Sequence, residues 1–242
     1  MMSIAKMFSK EFREHFKNTW IVSYPLVVGQ MMGMLMQVVD NIIVGHTGSV
    51  NLADISFANN IFGIIFLFFV GLSLAVTPLV GKANGAGDDA MLRAIFRTSF
   101  WFHLLLFSFV AVLLAQATPL LRYLGQDERV YEAGASYFKL ICYSLVPAMV
   151  FCHFKHFLDG LGITKPAAIA LVFANVVNVI LNYGLVFGRL GLPELGIRGS
   201  AIATICARVS QVATMAVYLG LLTDICLKSI GRGIQFELIF LS

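Results

Sequence analysis

Asp40 is the residue whose chemistry most needs explaining, because it stands near the end of an otherwise apolar run from Trp20 to Val44. An ionised carboxylate toward the middle of a bilayer costs about 2.5 to 3.5 kcal/mol on insertion scales, so such a group ordinarily faces a polar cavity inside a helix bundle. The same run carries Pro25, Gln30 and Gln37. At helical spacing Gln30, Gln37 and Asp40 fall within an arc of about 80°, so they can face one interior. Later apolar runs carry matching polar sets. Ser56, Asn59 and Asn60 form one; Asn175, Asn178 and Asn182 repeat at i, i+3, i+7; Thr204, Arg208 and Gln211 repeat at i, i+4, i+7. Residues so spaced share a helix face. Proton uptake by a carboxylate in that space would change its hydrogen bonds and the kink that Pro25 permits in its helix.

Each of these residues also has a quieter reading. Asn and Gln in membrane helices serve as interhelical glue worth about 0.6 to 2 kcal/mol per hydrogen bond, with no transport required. Asp40 is four residues from the end of its run and can meet interfacial water there. Arg208 can pair with a carboxylate, a helix end or a substrate. Other motifs carry no chemistry. Gly81-Lys-Ala-Asn-Gly-Ala-Gly87 lacks the order of a phosphate-cradling loop, and no ATPase is expected. His153, His156 and Asp159 follow i, i+3, i+6 but match no zinc-enzyme pattern, so no metal is expected. Ser and His are scattered through lipid-facing helices without a nucleophile and base pattern or a shared pocket, which leaves no enzyme reading. Cys142, Cys152, Cys206 and Cys226 lack C-x-x-C spacing and read as packing residues.

The elements that must position the polar residues follow from composition. The 242 residues are 59% hydrophobic and only 12% charged, and their mean hydropathy is +0.85, far above a soluble domain. After Trp20 to Val44 come Leu52 to Val80, Ala94 to Thr118, Ala133 to Phe154, Pro166 to Phe187 and Gly196 to Thr223. Each can cross a hydrocarbon core of about 30 Å. The expectation is an all-α, six-span membrane domain over 20–223. Residues 1–19, with Lys6, Lys10, Arg13 and Lys17 on one face, read as a helix on the inner membrane surface, and 224–242 as a tail or the start of a further lobe. Basic residues concentrate in the N-terminal segment and alternate loops (Lys82, Arg93, Arg97, Lys155, Lys165, Lys228, Arg232), against Arg122, Arg129, Arg189 and Arg198 in the others. This asymmetry predicts cytoplasmic termini and gives no basic face for nucleic acid.

The sequence from Pro25 through Gln30 to Val38-Val-Asp40-Asn-Ile-Ile-Val-Gly45-His-Thr-Gly48 resembles the first helix and loop of the multidrug and toxic compound extrusion transporters. The likeness continues in Thr77-Pro78-Leu-Val-Gly81, in Asn84-Gly-Ala-Gly87, in Pro147, and in Asp159-Gly-Leu-Gly162-Ile-Thr164-Lys-Pro166. Asn175, Asn178 and Leu181-Asn182-Tyr183, followed by Leu192-Pro-Glu-Leu-Gly196 and Gly199, are similar to the fifth helix and following loop, especially in the NorM-like branch. The resemblance implies one lobe of a two-lobe secondary antiporter that expels cationic or amphipathic compounds in exchange for protons or sodium ions. It implies ion coupling at Asp40 and a polar lining at Asn178, and it puts Asn182 where some members carry a second acid. Gln30, Gln37, Asn59, Asn175, Thr204 and Arg208 complete the expected pocket, with no cofactor. The expected partners are the lipid bilayer, small cationic or amphipathic substrates, and a second lobe or second copy. A non-transporting remnant, an interaction module and another exporter such as a lipid flippase are the alternatives.

Overall fold

The computed structural model describes residues 10–46, 49–124 and 128–229, and every regular element among them is helical. In order these are α1 (Lys10–Gly45), α2 (Ser49–Leu74), α3 (Val76–Ala86), α4 (Asp89–Ala117), a 3-10 helix (Thr118–Leu124), α5 (Glu128–Tyr143), α6 (Leu145–Gly160), α7 (Lys165–Phe187) and α8 (Ile197–Ser229). Among the described residues six stretches are long and apolar enough to cross a membrane: Arg13–Gly45, Ser56–Ala86, Asp89–Tyr123, Gly134–Gly160, Lys165–Phe187 and Ile197–Gly220. The fold is all-α, as the composition predicts.

Prolines explain why two of the six spans are each built from two α-helices. A proline supplies no N–H to the carbonyl four residues earlier and its ring crowds that carbonyl. Pro78 leaves Leu74 without its donor and the second span is interrupted at Ala75; Pro147 leaves Tyr143 without its donor and the fourth is interrupted at Ser144. Pro25 behaves differently. The kink expected there does not interrupt α1, which runs unbroken through it.

The helices also outrun the apolar stretches. The loop expected over Gly81 to Arg93 is mostly helix, because polar side chains beyond the hydrocarbon are solvated without leaving helical geometry. Only Gly87, left-handed at φ 66°, and Asp88 turn the chain, with the Asp88 carboxylate accepting the Met91 N–H at 2.9 Å. At the other end, residues 10–19 are the first turns of α1 and not a separate surface helix, since Lys17-Asn-Thr-Trp20 contains no helix breaker. Residues 1–9 and 230–242, which complete the expected N-terminal segment and tail, lie outside the described residues.

Packing sorts the spans into two groups. α7 lies along both α8 and α1, while α2 packs on α5, and α3 and α4 pack on α6. α5 and α6 in turn meet α8, which joins the groups. Small residues set the closest approaches. A Cβ at Gly199 would lie 2.6 Å from the Leu185 carbonyl oxygen, and one at Gly160 would lie 2.7 Å from Val80 Cβ. In the second group aromatic rings fill the centre, with Phe96 and Phe157 edge to face at 4.9 Å and Phe69 and Phe107 at 5.2 Å. The outside is apolar as well. Trp20, Met34, Phe68, Leu105, Phe109 and Val217 are among many large side chains left exposed, the surface that hydrocarbon and not water would cover.

Candidate functional site

Asp40 does not meet interfacial water. It is only 5% exposed, enclosed where α1, α7 and α8 meet. Asn182 Nδ2 donates to Asp40 Oδ1 at 2.6 Å, and Thr204 Oγ1 donates to Asp40 Oδ2 at 3.2 Å. Thr204 Oγ1 also lies 3.0 Å from the Ser200 carbonyl oxygen, one turn back along α8. A hydroxyl has one proton, so Thr204 can serve either the carboxylate or its own helix fully, but not both.

Asn178 sits beside the same carboxylate, fully buried, with neither side-chain atom in a hydrogen bond of good geometry. Asn182 Oδ1 is likewise buried without a partner. Buried polar atoms are nearly always satisfied, and here three amide atoms beside one carboxylate are not. The third Asn of the α7 stripe has another job. Asn175 Nδ2 donates to the Met32 carbonyl on α1 at 3.0 Å and to Leu171 O at 2.8 Å, the interhelical glue arrangement.

The remaining expected pocket residues divide. Gln30 and Gln37 are exposed and do not join Asp40, which corrects the expectation that the three face one interior of this lobe. The buried edge of α1 follows Gly29, Met36 and Asp40, and the two glutamines fall at the outer margin of that arc. Asn59 accepts the buried Tyr137 hydroxyl at 3.0 Å, tying α2 to α5, while Asn60 is exposed. Arg208 donates through Nη1 to Ser144 Oγ at 2.6 Å and to Ser144 O at 3.3 Å. Its guanidinium rests over the rings of Phe62 and Phe66, 5.2 and 5.0 Å from their centroids. Of its three possible partners it has taken a helix end. Ser144 and Tyr137 were not singled out by the sequence; the only signal for Ser144 is a proline three residues later.

Three of the five histidines, His103, His153 and His156, are buried and do not face lipid, a second correction, while His15 and His46 are exposed. His103 on α4 and His153 on α6 are buried with their Nδ1 atoms 3.4 Å apart, and Ser99 Oγ lies 3.4 Å from the same His153 nitrogen. His156 does not converge with them and Asp159 on a metal site. Lys155 Nζ holds Asp159 Oδ2 at 2.8 Å, with His156 Nδ1 3.9 Å from the same oxygen.

Comparison with known proteins gives this geometry its setting. A family model described as MatE matches residues 25–184. A protein of Rhizobium meliloti named "Probable multidrug resistance protein NorM" is 32% identical over 191 residues, covering 79% of this chain and 41% of the relative. A protein of the same name from Synechocystis is 31% identical over 209 residues, covering 86% of this chain and 44% of the relative. The chain therefore spans less than half the length of these relatives. Among solved structures, the eukaryotic MATE transporter AtDTX14 superposes with a TM-score of 0.77 at 23% identity, covering 94% of this chain and 50% of that one. A MATE structure in the bent conformation gives a TM-score of 0.77 at 22% identity, covering 91% and 50%. Matched by the family model over most of its spans and by its fold to half of a transporter chain, this multi-pass membrane protein belongs to the MatE family.

Proposed function

We propose that the chain forms one lobe of a secondary antiporter that exports cationic or amphipathic compounds, and that Asp40 binds the coupling cation, a proton or a sodium ion. The observation that carries this reading is the unused polar capacity around a buried carboxylate. Asp40 supplies two oxygens, Thr204 a third, and half-turns of the Asn178 and Asn182 amides would supply two more, a hard oxygen set suited to an alkali cation or a proton. Empty, the carboxylate is held by Asn182 and Thr204. Occupied, it no longer needs the Thr204 proton, which can return to Ser200 O. Binding thereby rewrites the contacts among α1, α7 and α8, and alternating access needs such a change at the base of its cavity.

The exposed Gln30 and Gln37 fit the same reading as the α1 face presented to a second lobe, lining a shared cavity near the bilayer midplane. That second wall is a further six-helix lobe, and a second copy of this chain is the competing occupant. The lobe lies in the inner membrane with both ends cytoplasmic, from the bias of its basic loops. The test is reconstitution in liposomes under an imposed proton or sodium gradient, following a fluorescent cation. Residues 1–242 alone should move no more than empty liposomes, and co-expression with a second lobe should restore gradient-driven movement that Asp40→Asn abolishes. Movement by 1–242 alone that disappears in Asp40→Asn would favour the second copy. Restored movement untouched by Asp40→Asn would remove Asp40 from coupling.

A further inference from the structure

Arg208 is a charge near the Asp40 site that makes no hydrogen bond or ion pair with its carboxylate. It has no carboxylate within ion-pair distance among the described residues, although it sits inside the lobe one helical turn beyond Thr204 on the same face of α8. An arginine inside a membrane domain ordinarily marks function, with its partner as the clue. Here the partner is Ser144, the residue at which the fourth span is interrupted.

That interruption is a joint with its own hydrogen-bond economy. Pro147 denies a donor to Tyr143 O. Ser144 Oγ donates to Ile141 O at 2.5 Å, and the Ala148 N–H reaches Ser144 O at 3.1 Å. Arg208 adds two charge-assisted bonds to the same residue, one to the hydroxyl and one to the carbonyl. If the guanidinium left Ser144 it would keep the Phe62 and Phe66 ring faces but lose both charge-assisted bonds, a poor exchange. The angle between α5 and α6 is therefore tied to the position of Arg208 on α8.

Thr204 connects that tether to Asp40. A threonine hydroxyl bonded to the carbonyl four residues back bends its helix, and Thr204 stands between this bond to Ser200 O and a bond to Asp40. Whichever acceptor takes the proton sets the local path of α8 one turn before Arg208. We infer that Arg208 is a positioning residue that couples occupancy of the Asp40 site, through Thr204 and α8, to the joint at Ser144 in the fourth span. The inference rests on the cation-site reading of Asp40, and it adds a route by which that site moves a span it does not touch.

Hydrogen exchange in residues 1–242 in lipid nanodiscs tests it, comparing wild type, Asp40→Asn, Arg208→Met and the double variant, with sodium binding measured on the same samples. Asp40→Asn, a permanently neutral site, should change exchange in the segment 141–148 by about fivefold or more, the scale of an ordinary coupling. The same substitution should change nothing there in the Arg208→Met background. Arg208→Lys, which keeps the charge, and Ser144→Ala, which keeps the arginine, should each retain a reduced response, so the result does not hang on one variant's folding. An Asp40→Asn variant that loses sodium binding yet leaves 141–148 unchanged overturns the tether while the cation site stands. An equal response with and without Arg208 also overturns it. Undiminished sodium binding in Asp40→Asn overturns the cation site, and the tether with it.

Discussion

At the scale of single residues, the three asparagines on one face of α7 hold different posts. Asn175 spends both of its donor bonds on backbone carbonyls, one of them on α1. Asn175→Ala should cost stability on the order of 0.6 to 2 kcal/mol, read as a lower thermal midpoint, with cation affinity unchanged. Asn182 donates to the Asp40 carboxylate itself. Its unpartnered Oδ1 is the oxygen that a half-turn of the amide would offer a sodium ion, so Asn182→Ala should weaken sodium binding about tenfold or more. Equal effects of the two substitutions on binding would erase the distinction. The sequence made Asp40, Asn178, Asn182 and Thr204 legible, because polar side chains in apolar runs have few places to go and helical spacing shows which share a face. It could not separate Asn175 from its neighbours, since the target of a side chain on another helix leaves no periodic trace. It also could not show that the burial boundary of α1 falls between Gln37 and Asp40, which share an arc.

At the scale of elements, the site depends on how closely α7 and α8 lie, because Asn182 and Thr204 come from those two helices. Gly199 permits that approach: a methyl group there would press on the Leu185 carbonyl oxygen, a backbone atom with little freedom to yield. Gly199→Ala should lower both thermal stability and cation affinity. Gly71→Ala, where a Cβ meets nothing within 4 Å, is the matched control and should alter neither. If the two substitutions behave alike, helix spacing does not set the site. The six spans were readable from hydropathy, yet the joints at Ala75 and Ser144 were not assigned. Pro78 and Pro147 were visible, but so was Pro25, and α1 continues through it. Whether a proline interrupts its helix depends on what packs around the joint, and at Ser144, next to the freed Tyr143 carbonyl, that includes an arginine from a distant part of the chain.

At the scale of the whole molecule, the proposed orientation rests on charge and the proposed mechanism on the Asp40 site. In a background without its cysteines, a single cysteine replacing Glu194, between α7 and α8, should react with an impermeant reagent from outside intact cells. One replacing Asp88, between α3 and α4, should not. Reaction at position 88 would invert the topology. The lobe presents apolar faces outward, and the MatE relatives match it over only part of their length, so substrate movement tests the assembly more than the lobe. Cation binding tests the lobe directly. The decisive measurement is equilibrium binding of radioactive sodium, with proton uptake and release followed on the same samples, by purified residues 1–242 in nanodiscs across a range of pH at which the two cations compete. The account predicts about one saturable cation site per chain, displaced by protons and absent in Asp40→Asn while the helical content is retained. Binding that persists undiminished in Asp40→Asn, or a folded wild type that takes up neither sodium nor protons, would contradict it.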